Sequence, residues 1–131
     1  AEMVGRMLVE RKALPAIALT TDSSNLTALA NDYGYDHVFS RQVEALVQPQ
    51  DVLIAISTSG NSLSVVKAAT AARDRGCKVI ALTGGTGGKL ASVADVLLNV
   101  SAGKNSSRIQ ETHIFIVHSL VDLLDRFFLK S

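Results

Sequence analysis

The sequence predicts an α/β fold, a three-layer sandwich with a central parallel sheet between helices. Three observations predict it. Apolar runs such as residues 51–57 and 78–83 lack the polar alternation of a strand with one wet face, as expected for strands buried on both sides. Segments of helical period separate these runs, so successive strands are joined by crossovers and run parallel. Polar or glycine-rich turns follow the carboxyl ends of the runs, where open parallel sheets bind their ligands.

The elements follow in order. Residues 1–12 carry Met3, Val4, Met7 and Leu8 at helical spacing, and residues 14–19 read as a short buried strand after the break at Pro15. Polar residues 20–24 form a loop. Residues 25–32 and 36–47 read as helices split at Tyr33, Gly34 and Tyr35. A strand at 51–57, a helix at 62–75 capped by Gly76, and a strand at 78–83 come next. A glycine-rich turn at 84–88, a short helix at 89–93, a fourth strand at 95–100 and a loop at 101–106 lead into a long final helix at 107–129.

The 131 residues suffice for one domain with a sizeable core. Thirteen basic against twelve acidic residues give a net charge of +1, which advertises neither a nucleic-acid track nor affinity for an anionic membrane surface. No apolar run approaches the roughly 18 residues of a spanning helix, and no signal peptide is visible. A single cysteine, Cys77, forms no internal disulfide, so a reducing cytoplasm is the expected compartment. Six aromatic residues and no tryptophan argue against base-stacking or carbohydrate-stacking platforms. The chain opens on Ala1, Glu2 and Met3 inside an amphipathic pattern without a cap, so a missing N-terminal part is expected.

The most informative stretch is Ser57, Thr58, Ser59, Gly60, Asn61 and Ser62, which joins a buried strand directly to a helix. Hydroxyls and unpaired first-turn amides at a helix N-terminus favour an anion. The turn is neither GxxxxGK[ST] nor GxGxxG, and it has no lysine to follow a nucleotide's outer phosphates. One phosphomonoester suits it better. The plainer reading is a capped helix start with Ser59 or Ser62 as N-cap, but capping needs only one hydroxyl.

On the final helix, Ile109, Ile116, Leu120, Leu123, Leu124 and Phe127 form one stripe, and Ile114, Val117, Val121 and Phe128 widen it beyond one core face, which predicts a subunit interface. His118 falls on the narrower polar side with Glu111 and Asp122. It reads either as half of a surface pair with Asp122 or as a functional group. His113 lies within the apolar stripe and reads as a core histidine. Gln110 is about 80° from His118 and about 12 Å along the axis, so both can face one elongated pocket. Asp32, beside Asn31 at a helix end, reads equally as an ordinary turn residue or as a polar site contact.

DVLIAISTSGNS, the stretch at 30–46, VIALTG followed by Gly87, Gly88 and Lys89, and SRIQETH together resemble the sugar isomerase (SIS) domain family, with phosphoheptose isomerases the nearest branch. The resemblance covers essentially the whole chain. It implies a flavodoxin-like SIS fold with a five-stranded parallel sheet, assembled as a homotetramer with active sites between subunits. The first strand, the N-terminal helices and a GNGGS-type loop leading to a histidine would then precede Ala1, making residues 1–131 one N-terminally truncated domain.

Residue by residue, the resemblance implies phosphate contacts at Ser57, Thr58, Ser59 and Ser62, substrate contacts at Asp32 and Gln110, and catalysis by Glu2 and His118. Some isomerases of the family hold zinc with that glutamate, glutamine and histidine, which match Glu2, Gln110 and His118, and with the upstream histidine that this chain lacks. The implied reaction converts sedoheptulose 7-phosphate to a heptose 7-phosphate through an enediol, for ADP-heptose and lipopolysaccharide core synthesis. The rival reading is a DnaA initiator-associating SIS protein that regulates replication by binding a protein partner. Such proteins typically lack the glutamate and the final histidine and carry an arginine inside the serine turn, whereas this chain has Glu2, His118 and an unbroken turn. A third reading, a non-catalytic phosphosugar-binding module, needs neither Glu2 nor His118. Ser107 departs from the aspartate of several isomerases.

Overall fold

The computed structural model describes residues 1–129; the last two positions of the expected 1–131 domain lie outside the described residues. Three strands, β1 (Val52–Ile56), β2 (Lys78–Gly84) and β3 (Val96–Val100), form one sheet in the order β1-β2-β3 with both pairings parallel. The register sets Ala55 beside Ala81 and Ile56 beside Leu82. Helices α1 (Ser23–Tyr33), α2 (Ser40–Leu46), α3 (Leu63–Asp74) and α4 (Ser106–Phe128) complete the order, with short 3-10 turns at Tyr35–His37 and Gly88–Ser92. The expected α/β class and the parallel sheet are what the structure shows.

Strand alternation sorts the layers. Ala55, Val79 and Ala81 point to one face, where Ala68, Ala69 and Ala72 of α3 close over them and Val43 of α2 and Leu90 complete the core. The small alanines let α3 lie close to the sheet. Gly84 belongs to the other face, where a Cβ would stand 2.5 Å from Ile109 of α4. α3 and α2 thus cover one face, while α4 meets the other only along β2 and β3 and leaves Ile54 and Ile56 of β1 about half exposed, against the expectation of strands buried on both sides. At the end of β2, α4 comes so close that only glycine fits there.

Two expected elements do not form. Residues 14–19 enter no strand ladder; Ile17 is 73% exposed, while Leu19 packs on the core and its carbonyl accepts from Gln42 Nε2 at 3.0 Å. An apolar run becomes a strand only beside a partner, and none pairs with it among the described residues. Residues 1–12 form a turn and bends instead of a helix. A helix this short, with Gly5 inside it, is marginal in isolation, and its carbonyls are taken elsewhere: Met3 O accepts from Leu14 N at 2.9 Å and also from Arg11 Nη1.

Smaller differences have local causes. α1 begins two residues before the expected start because Asp22, at its N-cap, accepts from Asn25 N at 3.0 Å. The expected helix at 36–47 divides into a 3-10 turn and α2, and the expected helix at 89–93 is the 3-10 turn Gly88–Ser92. Cys77 is buried, and its thiol donates to Gln48 O at 3.0 Å.

Asp95 ties the start of β2 to the entry of β3. One carboxylate oxygen accepts from Lys78 Nζ at 2.9 Å and the other from Val79 N at 2.8 Å. The hydrogen bond from Lys78, then that from Val79, holds the Asp95 carboxyl below the usual aspartate range. A depressed folded pKa contributes stability above the unfolded value, which is lost as pH falls through the folded one. Urea unfolding midpoints should therefore drop as pH falls below about 4, and Asp95→Asn should flatten the dependence in that window. An unchanged slope in the variant would assign the acid sensitivity to other groups.

Candidate functional site

The site begins where β1 and β2 end side by side. Ser57 N donates to Leu82 O at 3.0 Å, which continues the ladder one residue past β1, and the chain then turns through Thr58 to Ser62 into α3. Ser62 stands at the N-cap of α3 but makes no side-chain capping bond. Its hydroxyl instead accepts from Ser57 Oγ at 3.0 Å across the base of the turn. Ser59 Oγ accepts from Asn61 N at 3.2 Å, and Gly60 N donates to Ser57 O at 2.9 Å. Among the described residues, none of the intrachain bonds uses the Thr58 and Ser59 amides, so these donors stand beside the positive end of α3.

The glycine loop after β2 fixes this turn in place. Leu90 N donates to Gly60 O and Lys89 N to Asn61 Oδ1, each at 3.0 Å. Gly60 has φ +66°, and a Cβ there would stand 1.9 Å from Gly87 O. The two loops thus meet backbone to backbone, which only glycine permits.

Four expected phosphate residues accordingly divide by position. Thr58 and Ser59 line an opening of about 360 Å³ together with Gly85, Thr86, Lys104 and Asn105, whereas buried Ser57 and exposed Ser62 are off that lining and bonded to each other. Lys104, which sequence reasoning did not single out, is the one cation on this lining. Its only signal in the sequence is its place just before the N-terminus of the last helix. Asn105 caps α4, its Oδ1 accepting from Arg108 N at 3.1 Å. Two helix N-termini and several amides or hydroxyls around one opening suit a phosphate group.

The remaining expected residues lie elsewhere. His118 is exposed on α4 and lines a second opening with Met7, Leu8, Phe115 and Asp122. Glu2 is half-buried in the 1–12 segment and lines neither opening. Gln110 is exposed on α4 one residue beyond Ile109. Asp32 is exposed in the last turn of α1 and accepts from Asn31 Nδ2 at 2.8 Å. The loop at 20–24, expected on the same rim as the serine turn, does not line that opening. Asp122 pairs with Arg126 Nε at 2.9 Å, not with His118. His113 is the buried histidine expected of the apolar stripe; its Nε2–H donates to Thr83 O at 2.9 Å, which places the proton on that nitrogen. No three His, Cys, Asp or Glu side chains converge on a metal position among the described residues.

Comparison with known proteins decides the family. The SIS domain profile matches residues 1–84. The chain belongs to the SIS domain family. It is 54% identical to a phosphoheptose isomerase of Neisseria meningitidis serogroup A over 134 aligned positions, covering 100% of this chain and 68% of that protein. With a phosphoheptose isomerase of Geobacter sp. strain M21 it shares 55% identity over 132 positions, again covering 100% of this chain and 68% of the relative. The solved phosphoheptose isomerase of Neisseria gonorrhoeae superposes with a TM-score of 0.84 at 55% identity, covering 86% of this chain and 62% of that one. That of Francisella tularensis gives 0.90 at 43% identity, covering 95% and 66%. This SIS chain thus spans about two thirds of the length of these relatives.

The contact of Gly60 with the glycine loop yields a prediction. Gly60→Ala forces a side chain into a left-handed conformation that costs about 1–2 kcal/mol, and its methyl group overlaps Gly87 O. Inorganic phosphate should then bind at least about tenfold more weakly by calorimetric titration. Unaltered binding would show that the lacing of the two loops is dispensable.

Proposed function

We propose that the protein is a phosphoheptose isomerase, converting sedoheptulose 7-phosphate to D-glycero-D-manno-heptose 7-phosphate, a step that feeds ADP-heptose and lipopolysaccharide core synthesis. The observation that carries the reading is the preformed anion cradle at the carboxyl ends of two parallel strands, in a SIS chain more than half identical to proteins of that name.

In this reading the substrate phosphate sits against Thr58, Ser59 and the first turn of α3, with Ser57 and Ser62 bracing the turn and Lys104 supplying a compensating charge. Anchoring the phosphate fixes the sugar chain so that its reacting carbons meet the acid and base in a defined orientation. Aldose–ketose isomerisation moves a proton between adjacent carbons through a cis-enediol. It needs a base for the carbon-bound proton and an acid/base for the hydroxyl and carbonyl oxygens. Glu2 and His118 take these two roles, with Asp32 and Gln110 as substrate contacts.

Assembly as a homotetramer belongs to the same proposal. The serine turn reaches α4 at Ile109, and His118 lies nine residues further along, about 13 Å up the axis. His118 and the serine turn line different openings within one copy, which favours a site completed by a second copy. Exposed Ile114, Phe115 and Leu123 on α4 offer an apolar surface for it. A cytoplasmic setting, with no direct nucleic-acid or membrane partner, follows from the reaction proposed; no helix among the described residues is long and apolar enough to cross a membrane.

Zinc is a separate proposal: Glu2, Gln110 and His118 would hold it together with a further ligand, and it would polarise the substrate carbonyl. No three His, Cys, Asp or Glu side chains converge among the described residues, so the chemistry above is derived without it.

Turnover of sedoheptulose 7-phosphate by the intact protein tests the reading. His118→Ala and Glu2→Gln should each lower kcat at least about a hundredfold, while Ser59→Ala should chiefly raise KM. A folded protein without turnover, with or without added zinc, would overturn it. Sedimentation at micromolar concentration should give a tetramer, and a stable monomer with full activity would exclude a shared site.

A further inference from the structure

We propose that Arg11 and Asp125 are positioning residues, a buried latch that holds the Glu2-bearing segment on the face of α4 that carries His118. The inference rests on the isomerase reading for the roles of Glu2 and His118, and on geometry for everything else.

The latch is built from one guanidinium. Arg11 Nε donates to Asp125 Oδ1, and both side chains are only 3% exposed. Arg11 Nη2 donates to Glu2 O at 2.7 Å, and Nη1 donates to Met3 O at 2.9 Å, Lys12 O at 3.1 Å and Gly5 O at 3.3 Å. The fork of donors thus gathers carbonyls from both ends of the 1–12 segment onto a single carboxylate of α4. Asp125 follows His118 by seven residues, so the two side chains leave the helix within about 20° of each other and about 10 Å apart. Met7 and Leu8 of the segment line the opening that contains His118. Glu2 and the helix bearing His118 are therefore held as one unit.

The composition of the pair argues for direction over bulk stability. Burying two charges is costly, and apolar residues of similar volume often stabilise a fold as well or better. What an apolar pair lacks is a rigid array of donors aimed at four carbonyls. Asp125 Oδ2 has no hydrogen-bond partner among the described residues, so Arg11 alone compensates the carboxylate, and removing Arg11 by itself would strand a buried charge. The informative variants are those that avoid this.

In the intact protein, kcat and KM for sedoheptulose 7-phosphate are measured for Arg11→Met/Asp125→Leu and for Arg11→Lys, with thermal unfolding and amide hydrogen exchange at Gly5 and Leu14. The double variant removes both charges together and is expected to unfold near the wild-type temperature. Its kcat should fall at least about tenfold with KM within about twofold, and the Gly5 and Leu14 amides should exchange faster. Arg11→Lys keeps the ion pair but not the fork, and should show an intermediate loss of kcat at unchanged KM. A folded double variant with wild-type kcat and exchange overturns the proposal, as does a loss of kcat that merely follows thermal unfolding in both variants. Should the double variant not fold, wild-type kcat in Arg11→Lys overturns it alone. If the wild-type protein shows no turnover, the isomerase reading has failed, and hydrogen exchange still decides whether the latch exists.

Discussion

Parallel pairing of β1 with β2 is the constraint on which the rest of the molecule depends. Because the two strands run the same way, their carboxyl ends lie side by side, and the turns that leave them must share a few ångströms of space. That crowding selects glycine where the turns touch and lets Ser57 be held from the neighbouring strand through Leu82 O. The opening between these turns follows from sheet topology first and from serine chemistry second. Any four hydroxyls at a helix start could bind loosely; these are braced on one side by a ladder bond and on the other by Lys89 and Leu90.

A division of labour runs through the same region. Of the four hydroxyl residues of the turn, Thr58 and Ser59 line the opening, while Ser57 and Ser62 are hydrogen-bonded to each other. The same holds on α4, where His113 is spent on Thr83 O and serves packing, while His118 five residues later stands at an opening. Chemistry of the residue type does not assign the role; the neighbour supplied by the fold does.

Much of this was legible in the sequence, for a physical reason. β1, β2, β3, α3 and α4 are each encoded by their own residues: apolar runs, a helical stripe, and glycine where a chain must reverse, although β1 and β3 keep one apolar face partly exposed where burial on both sides was expected. The serine turn was legible too, since hydroxyls between a buried strand and a helix start have few other uses. Residues 14–19 were misjudged because a strand is a property of two paired segments, and the apolar string Ala16, Ile17, Ala18 says nothing about its partner. The 1–12 segment was misjudged because its fate is decided by Arg11, whose target Asp125 lies more than a hundred residues away. Nothing in the local pattern announces such a pair. Lys104 was missed for a related reason, an isolated cation in a polar loop having no meaning until the loop is seen beside the serine turn.

The backbone contact between the two loops has a consequence for how this site can be lost. At Gly88, as at Gly60, an added Cβ would collide with the opposite backbone, at 2.5 Å from Ser59 O. The vulnerable positions are therefore not only the residues that touch a ligand. A single methyl group on the second loop, far along the chain and bearing no functional group, would force the two turns apart. Sequence change in this protein should then be read in pairs across the two loops, and a substitution in one cannot be judged silent until its effect on the other is known.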